Sequence, residues 1–202
     1  NIAIPSGNFG NAYSAWFGRE NGLSINEIFC SSNVNDVLTR FISSGKLEPK
    51  ETIPSVAPSM DIQIPSSLER LIYNLEGEAS SFYDQLQSEK IANLTEESTA
   101  KLQNIFSSLS FDDEMILNEI ELFYKSYGWV IDPHTATALS SRASFSSDLP
   151  VVGVATASPE KFSDVISKII DEFTVENEKN EEKFLVQKAN SSLVENTIKE
   201  HL

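Results

Sequence analysis

Residues Pro5 to Asn11, Pro-Ser-Gly-Asn-Phe-Gly-Asn, constrain this chain more than any other stretch. Ile2, Ala3 and Ile4 precede them as a short apolar run that reads as the end of a buried strand. Ala12, Tyr13, Ala15, Trp16 and Phe17 follow and open a helix. A strand, a glycine-rich turn and a helix in succession form a cradle for an anion. Gly7 and Gly10 let the backbone approach a ligand closely and take positive φ. The first helical turn presents unpaired N–H groups and a partial positive charge, so a phosphate fits there without a lysine. Asn8 and Asn11 add side-chain donors and tolerate left-handed backbone. The same pattern also serves as a tight βα connection that binds nothing, and the local sequence leaves both readings open. A Walker loop is excluded, because no Lys-Ser or Lys-Thr follows the second glycine. The dinucleotide fingerprint is excluded too, because Gly-x-Gly-x-x-Gly is absent.

Charge supports an anion site at this end of the chain. The net charge of the 202 residues is −15, but residues 1–75 carry only −2 and the remainder −13. The acidic remainder reads as solvated surface. No basic patch exists to neutralise nucleic-acid phosphates, so nucleic acid is not an expected partner. A hydrophobic fraction of 40% supports a globular core. The single cysteine, Cys30, excludes an internal disulfide framework and suits a reducing, cytoplasmic compartment. No metal site is expected from two histidines and one cysteine. No apolar run approaches membrane-span length. The first residue is Asn1 rather than Met, and the chain opens inside a strand, so a fragment of a longer polypeptide is expected.

Along the chain, Asn11–Asn21 reads as a helix stopped by Gly22, and Ile25–Cys30 as a strand. The resulting parallel βαβ unit places a ligand crevice at the strands' C-terminal ends. Asn33, Asn35 and Asp36 fall just past that end. Asp36 is expected to cap the helix Val37–Ser43. Arg40, one turn in, is either a surface residue or a clamp for a substrate phosphate. Residues 45–65 hold four of the eight prolines and read as an irregular segment. Ser66 with Glu69 forms a capping box before the apolar face of Leu68, Leu71, Ile72 and Leu75. Residues 76–127 read as all-helical cover without chemistry. Asp132 and Pro133 suit the N-cap and first turn of a helix, and His134 beside them is not assigned as a base. Val151–Ala155 reads as a buried strand, with Ser158 capping a last long helix over 161–173. The tail after Thr174 is charged and weakly periodic.

Five blocks in fixed order carry a family resemblance. Ile-Pro-Ser-Gly-Asn-Phe-Gly-Asn at residues 4–11 resembles the phosphate loop of threonine synthase, a pyridoxal-phosphate enzyme of fold type II. The similarity continues through Ser32-Asn33-Val34-Asn35-Asp36, Arg40-Phe41 and Gly45, then through Ala57-Pro58-Ser59-Met60-Asp61-Ile62 and Glu69-Arg70-Leu71. It resumes at Asp132-Pro133-His134-Thr135-Ala136 and at residues 155–162, Ala-Thr-Ala-Ser-Pro-Glu-Lys-Phe.

The resemblance implies an α/β fold like the tryptophan synthase β chain, with a parallel sheet covered by helices and a helical insertion. It divides the chain into a phosphate-loop part (1–75), a helical segment (76–127), the remainder of the cofactor domain (128–173) and a tail (174–202). It implies pyridoxal 5'-phosphate held by Gly7, Asn8, Phe9, Gly10 and Asn11, with the hydroxyl of Thr156 facing the pyridine nitrogen. Asn35 and Arg40 are the implied contacts for a substrate phosphate. The Schiff-base lysine is expected upstream of Asn1, so the chain would be a C-terminal half, inactive alone and partnered by the N-terminal half. The implied reaction converts O-phospho-L-homoserine and water to L-threonine and phosphate. A threonine synthase-like phospho-lyase, or a non-catalytic remnant that binds a phosphorylated metabolite, are the alternatives.

Overall fold

The computed structural model describes residues 1–173 together with Lys199; the expected tail otherwise lies outside the described residues. The chain runs β1 (Ile2–Pro5), α1 (Gly10–Glu20), β2 (Ile28–Ser32), α2 (Val37–Ser44), β3 (Lys46–Leu47) and a 3-10 turn (Pro58–Met60). There follow α3 (Leu68–Glu76), α4 (Ser80–Glu89), β4 (Ala92–Asn93), α5 (Glu96–Ile105), β5 (Phe106–Ser110) and α6 (Asp113–Tyr127). Last come α7 (Pro133–Ser140), β6 (Val152–Gly153), a 3-10 turn (Pro159–Phe162) and α8 (Ser163–Ile166).

The sheet is all parallel in the order β5-β2-β1-β6. β2 is buried along its whole length, as a central strand covered on both faces must be. Its register sets Ile2 against Ile28 and Pro5 against Ser31 on one side, and Ile28 against Phe106 on the other. Helices α1, α2 and α7 pack on the strands. Ile4, Ile28 and Cys30 enter the larger core with Phe41, Leu71, Ile72 and Phe82. A second core joins Ala57 and Met60 to Ile116, Ile120, Ala136 and Ile166. Burial without a polar partner pushes the Cys30 thiol far above its ordinary range.

Four expectations need correction. Residues 76–127 are not all helical, because Phe106–Ser110 leaves α5 directly as a strand and adds to the sheet beside β2. Ile105, Phe106 and Leu109 fit a helical spacing, yet the backbone ladder offered by β2 decides the conformation. The strand at Val151–Ala155 shrinks to Val152–Gly153 at the sheet edge, where Val152 is 62% exposed. The helix over 161–173 breaks into a 3-10 turn, the short α8 and further turns, in which Ser167 bonds back to the Ser163 carbonyl. Asp36, moreover, occupies the N-cap position of α2 without capping it.

Gly45 closes α2 at φ 71 and donates to the Phe41 carbonyl at 2.7 Å. A Cβ there would run into the Thr99 side chain. Gly45→Ala should therefore combine a left-handed backbone cost of about 1–2 kcal/mol with a steric cost. Adding Thr99→Ala should return only the steric part. Urea unfolding of the two variants measures both, and an unchanged midpoint for Gly45→Ala would exclude this account.

Candidate functional site

The β1–β2 ladder ends with Ser6 donating to the Ser31 carbonyl at 2.9 Å. Beyond it the chain turns across the C-terminal edge of the sheet. Among the described residues, the amides of Gly7, Asn8, Phe9, Gly10 and Asn11 donate to no protein acceptor. The left-handed residue in this turn is Phe9, at φ 71, and neither Gly7 nor Gly10 has positive φ; that expectation for the glycines is corrected. A buried phenylalanine tolerates the strain because its ring is locked in the core, edge-on to Phe106 at 5.2 Å. Gly7 is needed for closeness instead. A Cβ on it would lie 2.9 Å from the Ser59 carbonyl oxygen and 3.0 Å from the Met60 Cα. Gly10 has open space, with Ser67 Oγ nearest at 3.6 Å.

Asn8 braces the turn from outside. Its Oδ1 accepts the Ser66 amide at 3.2 Å and the Ser66 hydroxyl at 3.1 Å, and its carbonyl accepts the Ser67 amide. The expected capping box is therefore absent: α3 starts at Leu68 without a side-chain cap, and Ser66 serves the turn.

The turn, Ser59, Met60, His134 and Thr156 line a cavity of about 240 Å³. No lysine or arginine is among its lining residues. The hydroxyl of Ser6, 4% exposed, has no partner. Free amides at the start of α1 and an orphaned hydroxyl suit a phosphate group. Thr156, exposed at the rim, brings a second hydroxyl from beyond β6. The site thus collects Gly7, Asn8, Phe9, Gly10, Asn11 and Thr156 around one space. A wider hollow of about 930 Å³, lined by Tyr13, Arg70 and Tyr73 among others, lies on the outside of α1 and α3. It lacks converging free amides.

Asn35 and Arg40 stand apart from this cavity. Asn35 is 3% exposed, and its side chain is spent on Ile53, Asp61 and Gln63. Arg40 pairs with Asp36 at 2.8 Å and donates to the Glu48 carbonyl at 2.9 Å; one terminal nitrogen, Nη2, has no partner. Asp36 serves this ion pair in place of the expected cap.

Sequence reasoning did not assign Ser6 or His134 to the site. Ser6 lay within the quoted motif, and the Asp-Pro-His start of α7 was the available signal for His134. Asp132 caps α7 through the His134 amide at 2.9 Å and the Thr135 amide at 3.4 Å, and also accepts the Thr135 hydroxyl. The His134 ring lies 3.0 Å from the same carboxylate, and its Nε2 accepts the Ser59 amide at 3.1 Å. Burial raises the Asp132 carboxyl pKa most strongly, but the donors from His134 and Thr135 together outweigh it and leave the carboxyl below its ordinary value.

No protein-family model matches the chain. A threonine synthase of Pseudomonas aeruginosa is 32% identical over 175 residues, 83% of this chain and 37% of that protein. The threonine synthase-like 1 protein of Macaca fascicularis is also 32% identical, over 84% of this chain and 24% of its own length. The crystal structure of a threonine synthase from Brucella melitensis, described as bound to pyridoxal phosphate, superposes with a TM-score of 0.85. It is 27% identical, over 99% of this chain and 46% of that one.

The chain belongs to the threonine synthase family. Its fold is that of the fold type II enzymes. It spans less than half the length of these relatives.

Two outcomes follow from this geometry. Gly7→Ala must push backbone against backbone and should cost about 1–3 kcal/mol in urea unfolding, whereas Gly10→Ala should be nearly neutral. Equal effects at the two positions would contradict the close approach at Gly7. The second concerns acid. A carboxyl lowered in the folded state contributes stability above its unfolded pKa of about 3.9, and loses it as pH falls through the lower folded value. Asp132→Asn should therefore be destabilised relative to the parent near neutrality. The gap should narrow as pH drops below about 4. A constant gap in acid unfolding curves would show that the Asp132 charge is not what matters.

Proposed function

We propose that the turn from Gly7 to Asn11 holds the phosphate of pyridoxal 5'-phosphate, and that this chain forms part of a threonine synthase acting on O-phospho-L-homoserine. One observation carries this reading: the free amides of an anion cradle and the hydroxyl of Thr156 border one cavity that no lysine or arginine lines. The amides and the start of α1 bind the cofactor's phosphate as a dianion. Ser6 adds a hydroxyl donor. Thr156 faces the ring nitrogen, and a neutral hydroxyl does not hold that nitrogen protonated as a carboxylate would. Bound in this way, the cofactor supplies an electron sink for loss of phosphate and addition of water.

No lysine lines the cavity among the described residues, so covalent attachment of the cofactor falls to a lysine from the N-terminal half, and these residues alone do not turn over substrate. Asn35 and Arg40 reach a substrate phosphate in this reading only if the Arg40 pairing with Asp36 opens. The buried, unbonded Nη2 of Arg40 supports that role. A cytoplasmic site fits the single free cysteine, and no helix among the described residues is long and apolar enough to cross a membrane.

A second reading has its own support. The equal identity to a threonine synthase-like protein favours a related phospho-lyase with the same cofactor cradle and another phosphorylated amino acid as substrate.

The full-length protein should retain pyridoxal 5'-phosphate after dialysis and should not retain pyridoxal, read by absorbance. Thr156→Val should weaken the cofactor about 2- to 10-fold, the value of one neutral hydrogen bond. Thr156→Asp should protonate the ring nitrogen and shift products toward transamination. If neither variant changes spectrum, affinity or products, Thr156 has no part in the site. Phosphate release from O-phosphohomoserine separates the synthase from the phospho-lyase.

A further inference from the structure

His134 borders the cavity, yet both of its ring nitrogens are engaged by the protein. Asp132 Oδ1 stands 3.0 Å from Nδ1, and the Ser59 amide donates to Nε2 at 3.1 Å. An acceptor on one side and a donor on the other are satisfied together by a single tautomer, with the proton on Nδ1. Ser59 needs this acceptor. In its turn, Met60 N bonds the Ala57 carbonyl and Asp61 N bonds the Pro58 carbonyl, while Ser59 N has only the imidazole. The same turn is in backbone contact with the phosphate-loop residue Gly7, where not even a methyl group fits. A chain of contacts therefore runs from Asp132 through His134 and Ser59 to Gly7. The Phe162 ring closes on the imidazole at 4.9 Å.

We propose that His134 is a positioning residue of the cofactor cavity: oriented by Asp132, its Nε2 anchors the turn Pro58–Met60 and so fixes the wall that faces the phosphate-binding loop. This rests on the reading of that loop as the cofactor-phosphate cradle. The anchor acts through its lone pair rather than through its bulk. A ring of similar size without an acceptor removes the one protein partner of the Ser59 amide at a part-buried contact, so the turn loses its tie to α7 and is freer to move off Gly7.

The full-length protein provides the test through two readouts. In the cofactor-free form, hydrogen exchange of the Ser59 amide should speed up about 10-fold or more in His134→Phe. It should stay slow in His134→Gln, whose amide oxygen replaces Nε2. In parallel, the dissociation constant for pyridoxal 5'-phosphate should rise about 10-fold or more in His134→Phe and stay within about threefold in His134→Gln. Unchanged Ser59 exchange in His134→Phe overturns the anchor. Faster exchange with unchanged affinity overturns the positioning role. If His134→Phe does not fold, His134→Ala, which also lacks the acceptor, is read in the same way, and parent-like Ser59 exchange in it overturns the proposal. Failure of the parent itself to bind the cofactor sinks the cradle reading instead, while the exchange data still judge the anchor.

Discussion

The parallel pairing of β1 with β2 is the constraint on which the site depends. It runs from Ile2 opposite Ile28 to Pro5 opposite Ser31 and ends with one further bond, from Ser6 to the Ser31 carbonyl. From that point the chain must leave the sheet, because α1 has to return over it to feed β2. The amides in the connecting turn have lost the strand ladder and have not yet entered the helical one. Five consecutive free donors are a direct result of that geometry. Were β1 one residue longer, part of the cradle would be consumed by the ladder. The row of free amides at the C-terminal edge of this sheet is thus a property of the connection before it is a property of any side chain.

A bare turn of free amides would be soft, and two acids, the half-buried Asp61 and the buried Asp132, hold it by indirect means. Asp61 accepts Asn33 and Asn35 side chains at 2.7 and 2.9 Å, and the Ser55 amide and hydroxyl at 3.1 and 2.7 Å. Asp132 accepts the donors at the start of α7 and orients His134. Neither carboxylate is paired with lysine or arginine among the described residues. Each is stabilised by several neutral donors, which fix direction more narrowly than a mobile cation would. Together they lock residues 55–61 against Gly7 from two sides. Replacing one partner leaves the others buried and unsatisfied, so the arrangement is expected to behave as a unit rather than as a sum of bonds.

Local signals made the turn, β1, α1, β2, α2 and the start of α7 legible, because each depends on neighbours in sequence. Asp132 followed by Pro133 favours a helix start on local chemistry alone. The failures share one cause. Phe106–Ser110 has three serines among its five residues and follows a helix without a break, so nothing local marks it as a strand; the ladder to β2 does. Val151–Ala155 looks buried by composition, but its length as a strand is limited by β1, the only neighbour it pairs with among the described residues. Ser66 and Asp36 carry good capping side chains that are taken by distant or competing partners, Asn8 and Arg40. The same applies to the site. The loop and Thr156 could be named from the resemblance, whereas His134 joins the cavity wall through a contact to Ser59, 75 residues away in sequence.

The electrostatics of the site set it apart from the rest of the chain. With a net charge of −15, 15 basic residues against 30 acidic ones, the chain has few cations to commit to an anion site. The cavity uses none. Its donors are amides and hydroxyls, which carry no ionisable proton, and the α1 dipole acts over a single turn. Such a cradle is insensitive to the distant acidic surface, because charges beyond a Debye length of about 8 Å are screened at physiological salt. The one titratable group in the wall, His134, has both nitrogens committed to the protein. It stands there as the acceptor of the Ser59 amide.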